Sequence, residues 1–255
     1  MGEHEPVIVL DLGEMAYEPA YGEQCRHVEE VLAAKAADGG AAEARAGRGG
    51  RILLVEHRPP VITVSRRPTA MGNLVASPEM LERLGVTVAT TDRGGDITYH
   101  GPGQLVVYPI LDLNYFRLGL HDYMRLLEGA VIDTCRAFGV PAHRDACATG
   151  VWVGGDEGGG ACGGGGGGGG AKICAMGVRV KRWVSMHGLA LNVTTNLEHF
   201  GLIVPCGLTR PVTSLERELG ERCPTMGDVK RVLSGVLVAK LMEAREEAGR
   251  VRGEG

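Results

Sequence analysis

The stretch KICAMGVRVKRWVSMHGLALNV, residues 172 to 193, restricts the fold more than any other part of this chain. It holds two apolar runs rich in β-branched residues, with no space between them for a crossover helix. The runs must therefore pair as an antiparallel hairpin. VIVLDLG, RILLVEH, PVITVS, VTVATT, GQLVVYPILDL and GVWV read as further strands, and several follow one another without a helix. RILLVEH and PVITVS, interrupted by Pro59 and Pro60, predict a hairpin or a bend. A doubly wound parallel sheet requires strict strand-helix alternation, so the pattern predicts an α/β (α+β) fold: a mixed β-sheet covered by helices.

The helices announce themselves by period and punctuation. Residues 17 to 37 place Val28, Val31 and Leu32 on one face. SPEMLERLG has Ser77 as N-cap, Pro78 at the first helical position and Gly85 at the close. LHDYMRLLEGAVIDTCRAFG is amphipathic and ends at Gly139 and Pro141. Short helical pieces are expected at NLEHF and SLERELG, and a last helix from Met226 to about Ala248 behind a Thr225 cap.

At 255 residues and 44% hydrophobic, the chain can bury a full core, and a single domain over residues 1–255 is expected. Two Gly-rich inserts, near 38–50 and 154–171, carry too little side chain to pack and read as flexible surface connections. A formal charge of -4 gives no global attraction for nucleic acid or an anionic membrane. The N-terminal segment MGEHEPVIVLDLG lacks the basic flank and apolar length of a secretion signal, so a cytoplasmic location is expected. Seven dispersed cysteines without a CxxC pair read as thiols, not as a disulfide frame or a zinc site.

Two glycine patterns fail as nucleotide motifs. GPGQLV lacks the third glycine of a dinucleotide fingerprint and enters a strand, and GGGGAKI has no Ser or Thr after its lysine. RGGDITYHGPGQ, residues 93 to 104, combines glycines that permit close backbone approach with Arg93 and His100, and is equally compatible with a turn between strands. Strand alternation puts Lys172, Cys174 and Met176 on one side and Ile173 and Ala175 on the other, and a lone lysine at a strand end is ordinarily solvated. Arg179 and Lys181 share a face. Cys206, in the turn of FGLIVPCGLTRPVTSL, is open to two readings: a small buried hydrophobe, or a nucleophile lifted out of regular structure.

Taken together, RGGDITYHGPGQLVVYPILDL, KICAMGVRVKRWVSMHGLALNV and FGLIVPCGLTRPVTSL resemble, in order and spacing, the lipoyl(octanoyl) transferases over about residues 50 to 220. The resemblance implies a catalytic domain like those of lipoate and biotin protein ligases, no cofactor, and no requirement for ATP. It implies octanoyl-acyl carrier protein as donor. The implied acceptors are lipoyl domains of 2-oxoacid dehydrogenase E2 subunits and the glycine cleavage H protein. Carried residue by residue, it gives Cys206 the thioester and Lys172 the task of lowering that thiol's pKa. Arg93, Gly94, Gly95, Asp96, Ile97, Thr98, Tyr99 and His100 would line the substrate pocket, with Ala175, Met176, Gly177, Gly188, Leu189 and Ala190. The acidic partners so implied make Arg179, Lys181 and Arg182 candidate docking residues. Departures from the family pattern fall at Asp96, at Trp183, at the Gly-rich insert before Lys172, and at Cys174, a rival nucleophile two residues from Lys172.

Overall fold

A computed structural model describes residues 6–36, 47–155, 170–204 and 210–251. Its main sheet has seven strands in the order β1 (Val7–Met15), β2 (Gly50–His57), β6 (Gln104–Leu111), β10 (Val184–Asn192), β9 (Ala171–Lys181), β8 (Val151–Val153) and β7 (Ala142–Arg144). A second sheet of three strands has the order β4 (Thr87–Thr91), β3 (Val61–Ser65), β5 (Ile97–His100). The expected 172–193 hairpin is β9 and β10, and its turn residues Arg182 and Trp183 both take positive φ, 52° and 66°, as a tight hairpin turn of matching twist demands. Antiparallel pairing dominates, but β1 lies parallel to β2 and β3 parallel to β4.

Both faces of the main sheet are buried, which is why its central strands read as continuous apolar runs instead of alternating ones. Ile52, Leu54, Leu105, Val107, Leu189 and Leu191 point into a core shared with α3 (Leu120–Ala137) and α5 (Met226–Val251). Their alternates Leu53, Val55, Val106, Tyr108, Met186 and Ala190 face α1 (Tyr17–Ala36) through Ala20 and Val31. The small sheet has its own core, in which Ile62, Val64, Ile97 and Tyr99 pack with Leu81 of α2 (Pro78–Leu84) and with Leu202 and Ile203. The Ser77 cap is in place, accepting the Met80 amide at 3.3 Å, and Gly85 closes α2 at φ 63°.

One open reading is resolved, one strand is added and one expectation fails. RILLVEH and PVITVS make a bend and not a hairpin, since β2 and β3 belong to different sheets. The three-residue strand β7 has no apolar run to reveal it and forms because β8 offers an open edge. Strict alternation along β9 also fails. Val151 pairs with Cys174 but Trp152 with Lys172, so Ile173 is the extra residue of a bulge. Ile173 and Cys174 both enter the core, whereas Lys172 lines a cavity. A bulge re-aims side chains in this way.

The central strands approach so closely that a side chain is forbidden at Gly188. A Cβ on Gly188 would lie 2.2 Å from the Val107 carbonyl oxygen and 2.6 Å from Pro109 Cδ. Gly188→Ala is therefore expected to push β10 off β6 and to lower unfolding free energy by about 1–3 kcal/mol, the usual range for overpacking. Urea unfolding of both proteins checks this, and equal midpoints would count against the packing described.

Candidate functional site

The two sheets meet at a cavity of about 100 Å³, well above the roughly 10–15 Å³ that one buried water occupies. Its apolar wall comes from Val106, Ala175, Met176, Leu189, Ala190 and Phe200, and its polar groups from Tyr17, Thr63, Arg93, Asp96, His100, Tyr108, Lys172 and His187. Gly177 and Gly188 are direct cross-strand partners in its lining. A Cβ on Gly177 would lie 2.5 Å from the Gly94 carbonyl oxygen, so bare backbone at that position lets the 93–100 segment settle against β9. A wider cavity of about 630 Å³ adjoins the first and shares Lys172, Met176, Gly177 and Gly95 with it.

The 93–100 segment is fastened from several sides. The Gly94 amide donates to Val178 O at 3.0 Å. The Arg93 guanidinium donates to Thr63 O at 3.0 Å and to Thr63 Oγ1 at 3.1 Å, tying the segment to β3. Asp96 is buried, accepts from Asn73 through Oδ2, and leaves Oδ1 with no hydrogen-bond partner.

Of the residues that sequence placed here, Arg93, Gly95, Asp96, Ile97, Thr98, His100, Lys172, Ala175, Met176, Gly177, Gly188, Leu189 and Ala190 line the first cavity. Gly94 lines the adjoining one. Tyr99 lines neither: it packs in the small-sheet core and its hydroxyl meets His199 Nδ1 at 2.9 Å. Cys206 lies outside the described residues. Trp183 sits at the hairpin turn, half exposed and away from the cavity.

Sequence reasoning singled out Arg179 only for docking and did not foresee the polar network it joins. Asp92 accepts from His187 Nε2 at 2.8 Å, from the Tyr21 hydroxyl at 3.2 Å, and from Arg179. Burial pushes the Asp92 carboxyl up, but the hydrogen bond and charge of His187, with Arg179 and Tyr21, outweigh it and hold the group ionised. His187 stands at φ 60° with its amide donating to Gln24 Oε1 at 2.9 Å, and burial pulls its imidazole down despite Asp92. An Asp directly before Arg93 and a His directly before Gly188 were the only signals available.

Two more imidazoles are buried. His57 Nδ1 faces the Met15 carbonyl at 3.0 Å, which can only accept, so Nε2 is left to accept from the Tyr108 hydroxyl at 2.7 Å. Burial, partly opposed by that carbonyl, pulls His57 down to about 4. His100 meets Gln104 Oε1 at 2.8 Å and is pulled well below the ordinary imidazole range by burial and by neighbouring His57. Of these rings only His100 joins His187 in the cavity lining, both held low by burial, and the basic side chains of Arg93 and Lys172 share that lining.

Among the described cysteines, Cys25, Cys135, Cys174 and Cys223 are free, while Cys147 is disulfide-bonded, against the expectation of thiols throughout. Burial pushes Cys135 up to about 12 and Cys174 higher still. Cys174 is therefore a packing residue, its rivalry as a nucleophile removed by the same bulge that turns Lys172 toward the cavity. Among the described residues no group of three or more His, Cys, Asp or Glu could hold a metal ion, and no helix is long and apolar enough to cross a membrane.

The lowered imidazoles fix the sign of a pH effect. An unfolded His57 takes up its proton near 6.5 and the folded one only near 4. Stability is therefore fully present above about pH 6.5 and falls as pH drops toward 4, by about 3 kcal/mol from this residue. His100 and His187 act in the same direction. Urea titrations at pH 7, 5.5 and 4.5 are expected to show this slope, shallower in His57→Gln, and a pH-independent midpoint would refute it.

Residues 27–237 match the lipoyl protein ligase A/B catalytic domain family. A curated octanoyltransferase of Bacteroides fragilis (strain YCH46) is 49% identical over 193 residues, 75% of this chain and 81% of that protein. One from Bacteroides thetaiotaomicron is 41% identical over 241 residues, covering 94% and 97%. Among solved structures, a bi-partite lipoate protein ligase of Thermoplasma acidophilum superposes with a TM-score of 0.64 at 14% identity, over 97% of this chain and 91% of that one. That likeness is of fold.

Proposed function

This chain belongs to the lipoyl protein ligase A/B catalytic domain family and is an acyltransferase, and on that premise we propose that it moves an octanoyl group from acyl carrier protein to a lysine of lipoyl domains through a thioester on Cys206. The observation that carries this reading is the place of Lys172, in the lining of both cavities and hydrogen-bonded through its main chain to the segment that follows Cys206. The Lys172 amide donates to Pro211 O at 2.9 Å and the Thr213 amide donates to Lys172 O at 3.0 Å.

The chemistry balances without ATP. The Cys206 thiolate, paired with the Lys172 ammonium, attacks the donor thioester carbonyl. As the tetrahedral adduct collapses, the carrier sulfur leaves and takes the proton from Lys172, which becomes an amine. The acceptor lysine, as free amine, then attacks the acyl-enzyme carbonyl. Its proton returns to Lys172 and the Cys206 thiolate is expelled. A thioester exchanged for a thioester and then for an amide runs downhill, and the covalent step lets two bulky partners use one site in turn. The apolar cavity between Val106, Leu189 and Ala190 suits an uncharged alkyl chain. The same cavity with an adenylated acid would suit an ATP-using ligase, the alternative that the test below separates.

Incubating the reduced protein with octanoyl-acyl carrier protein and no ATP, then measuring intact mass, is expected to give one octanoyl adduct. The adduct should persist in Cys174→Ala, vanish in Cys206→Ala, and form about 10²-fold or more slowly in Lys172→Ala. Adduct retained in Cys206→Ala, or transfer seen only with ATP and free octanoate, would overturn the reading.

Arg179 is committed to Asp92, so the docking role falls to Lys181 and Arg182, both exposed at the hairpin end. Charge reversal at Lys181 and Arg182 together is expected to lower kcat/KM and flatten its salt dependence while leaving kcat unchanged. An unchanged salt slope would remove these residues from docking.

A further inference from the structure

Trp152 is the largest fully buried side chain of the protein, yet it does not join the core that takes its neighbours Val151 and Val153. Two cations lie over its ring instead: Lys172 Nζ at 4.6 Å and the Arg210 guanidinium at 3.5 Å from the centroid. We propose that Trp152, locked in place with Arg210 and Asp145, is a positioning residue that holds the Lys172 ammonium at its catalytic station. The proposal rests on the Cys206 and Lys172 reading above and adds to it what holds the lysine.

A lysine carries about 2 kcal/mol of rotamer entropy, so fixing its head requires contacts along the whole side chain. Strand pairing supplies the first, because Trp152 and Lys172 are cross-strand partners beside the β9 bulge. Gly150 supplies the second: a Cβ there would stand 3.4 Å from Lys172 Cε and 3.7 Å from Cδ, so the stem lies along bare backbone. The ring supplies the third, with the ammonium inside the roughly 6 Å range of cation-π attraction.

The ring is itself held from outside. Its Nε1–H donates to Ala148 O at 3.3 Å. Asp145 Oδ1 accepts the amides of Cys147 and Ala148 at 2.9 and 3.0 Å, and Oδ2 accepts from Arg210 at 2.6 Å. Arg210 stands four residues after Cys206 in the chain. One aromatic ring therefore joins the lysine to the segment that follows the cysteine, and the Asp145 carboxylate balances the second cation.

The test is the pH dependence of Cys206 alkylation by iodoacetamide in reduced protein, read by peptide mass spectrometry and paired with single-turnover octanoylation. Wild type, Trp152→Phe, Trp152→Leu, Arg210→Gln and Lys172→Ala are compared, each checked for folding by thermal melt. Trp152→Leu is expected to slow alkylation at pH 7 about tenfold, equivalent to one pH unit in the midpoint. Trp152→Phe and Arg210→Gln, which keep a ring in place, should fall between it and wild type. In the Lys172→Ala background Trp152→Leu should add nothing, because a residue that acts through Lys172 has no effect without it. Equal slowing with and without Lys172, or wild-type midpoints in every Trp152 and Arg210 variant, would overturn the positioning role alone. If Lys172→Ala itself leaves both rates unchanged, the catalytic reading falls and the positioning role with it.

Discussion

The pair of main-chain hydrogen bonds between Lys172 and the 211–213 segment is the constraint on which the site depends. A lysine at the start of a strand has no intrinsic reason to leave water. Here its backbone is pinned on one side by the β8 pairing and on the other by the parallel bridge to Val212. With the backbone fixed and the β9 bulge setting the direction, the side chain points to the junction of two cavities and not to solvent or into the core. The same bulge commits Cys174 to the core, so a single irregularity separates a packing thiol from a site amine two residues away.

Around that amine the site is built from absence of side chain as much as from its presence. Gly177 and Gly188 bring backbone segments within a distance that a Cβ would prevent, and a Cβ on Gly94 would crowd the Val178 carbonyl oxygen at 3.1 Å. The space recovered forms a narrow apolar slot at the meeting of the two sheets. Burial holds His100 low in the lining and His57 low outside it, and Asp92 is paired with Arg179, Tyr21 and His187. The lining thus sets an apolar wall beside the basic side chains of Arg93 and Lys172, and the proposed reading lays an acyl chain along that wall.

Much of the architecture was legible in the linear pattern because it depends on local rules. The Ser77 cap, Pro78 and Gly85 define α2 by hydrogen bonds and dihedrals within nine residues. The β9–β10 hairpin follows from two apolar runs too close together for a crossover. The pairing of Gly177 with Gly188, and the approach of the 93–100 segment to β9, join distant parts of the chain, yet their residues were marked out by family resemblance. Asp92 and Tyr21 were not, and Arg179 was marked out only for docking, since their partnership crosses two sheets and a helix, and nothing in the spacing of 21, 92 and 179 signals it.

Composition and pattern alone determined a mixed sheet under helices, thiol chemistry as one candidate, and the unsuitability of the glycine motifs for nucleotide, because each is a property of short windows. Tertiary structure decided which side Lys172 faces, that Tyr99 serves the small-sheet core instead of the cavity, and that Trp152 lies under two cations. Those outcomes turn on a one-residue bulge and on contacts between segments far apart in sequence, and a period-2 strand rule carries no information about either.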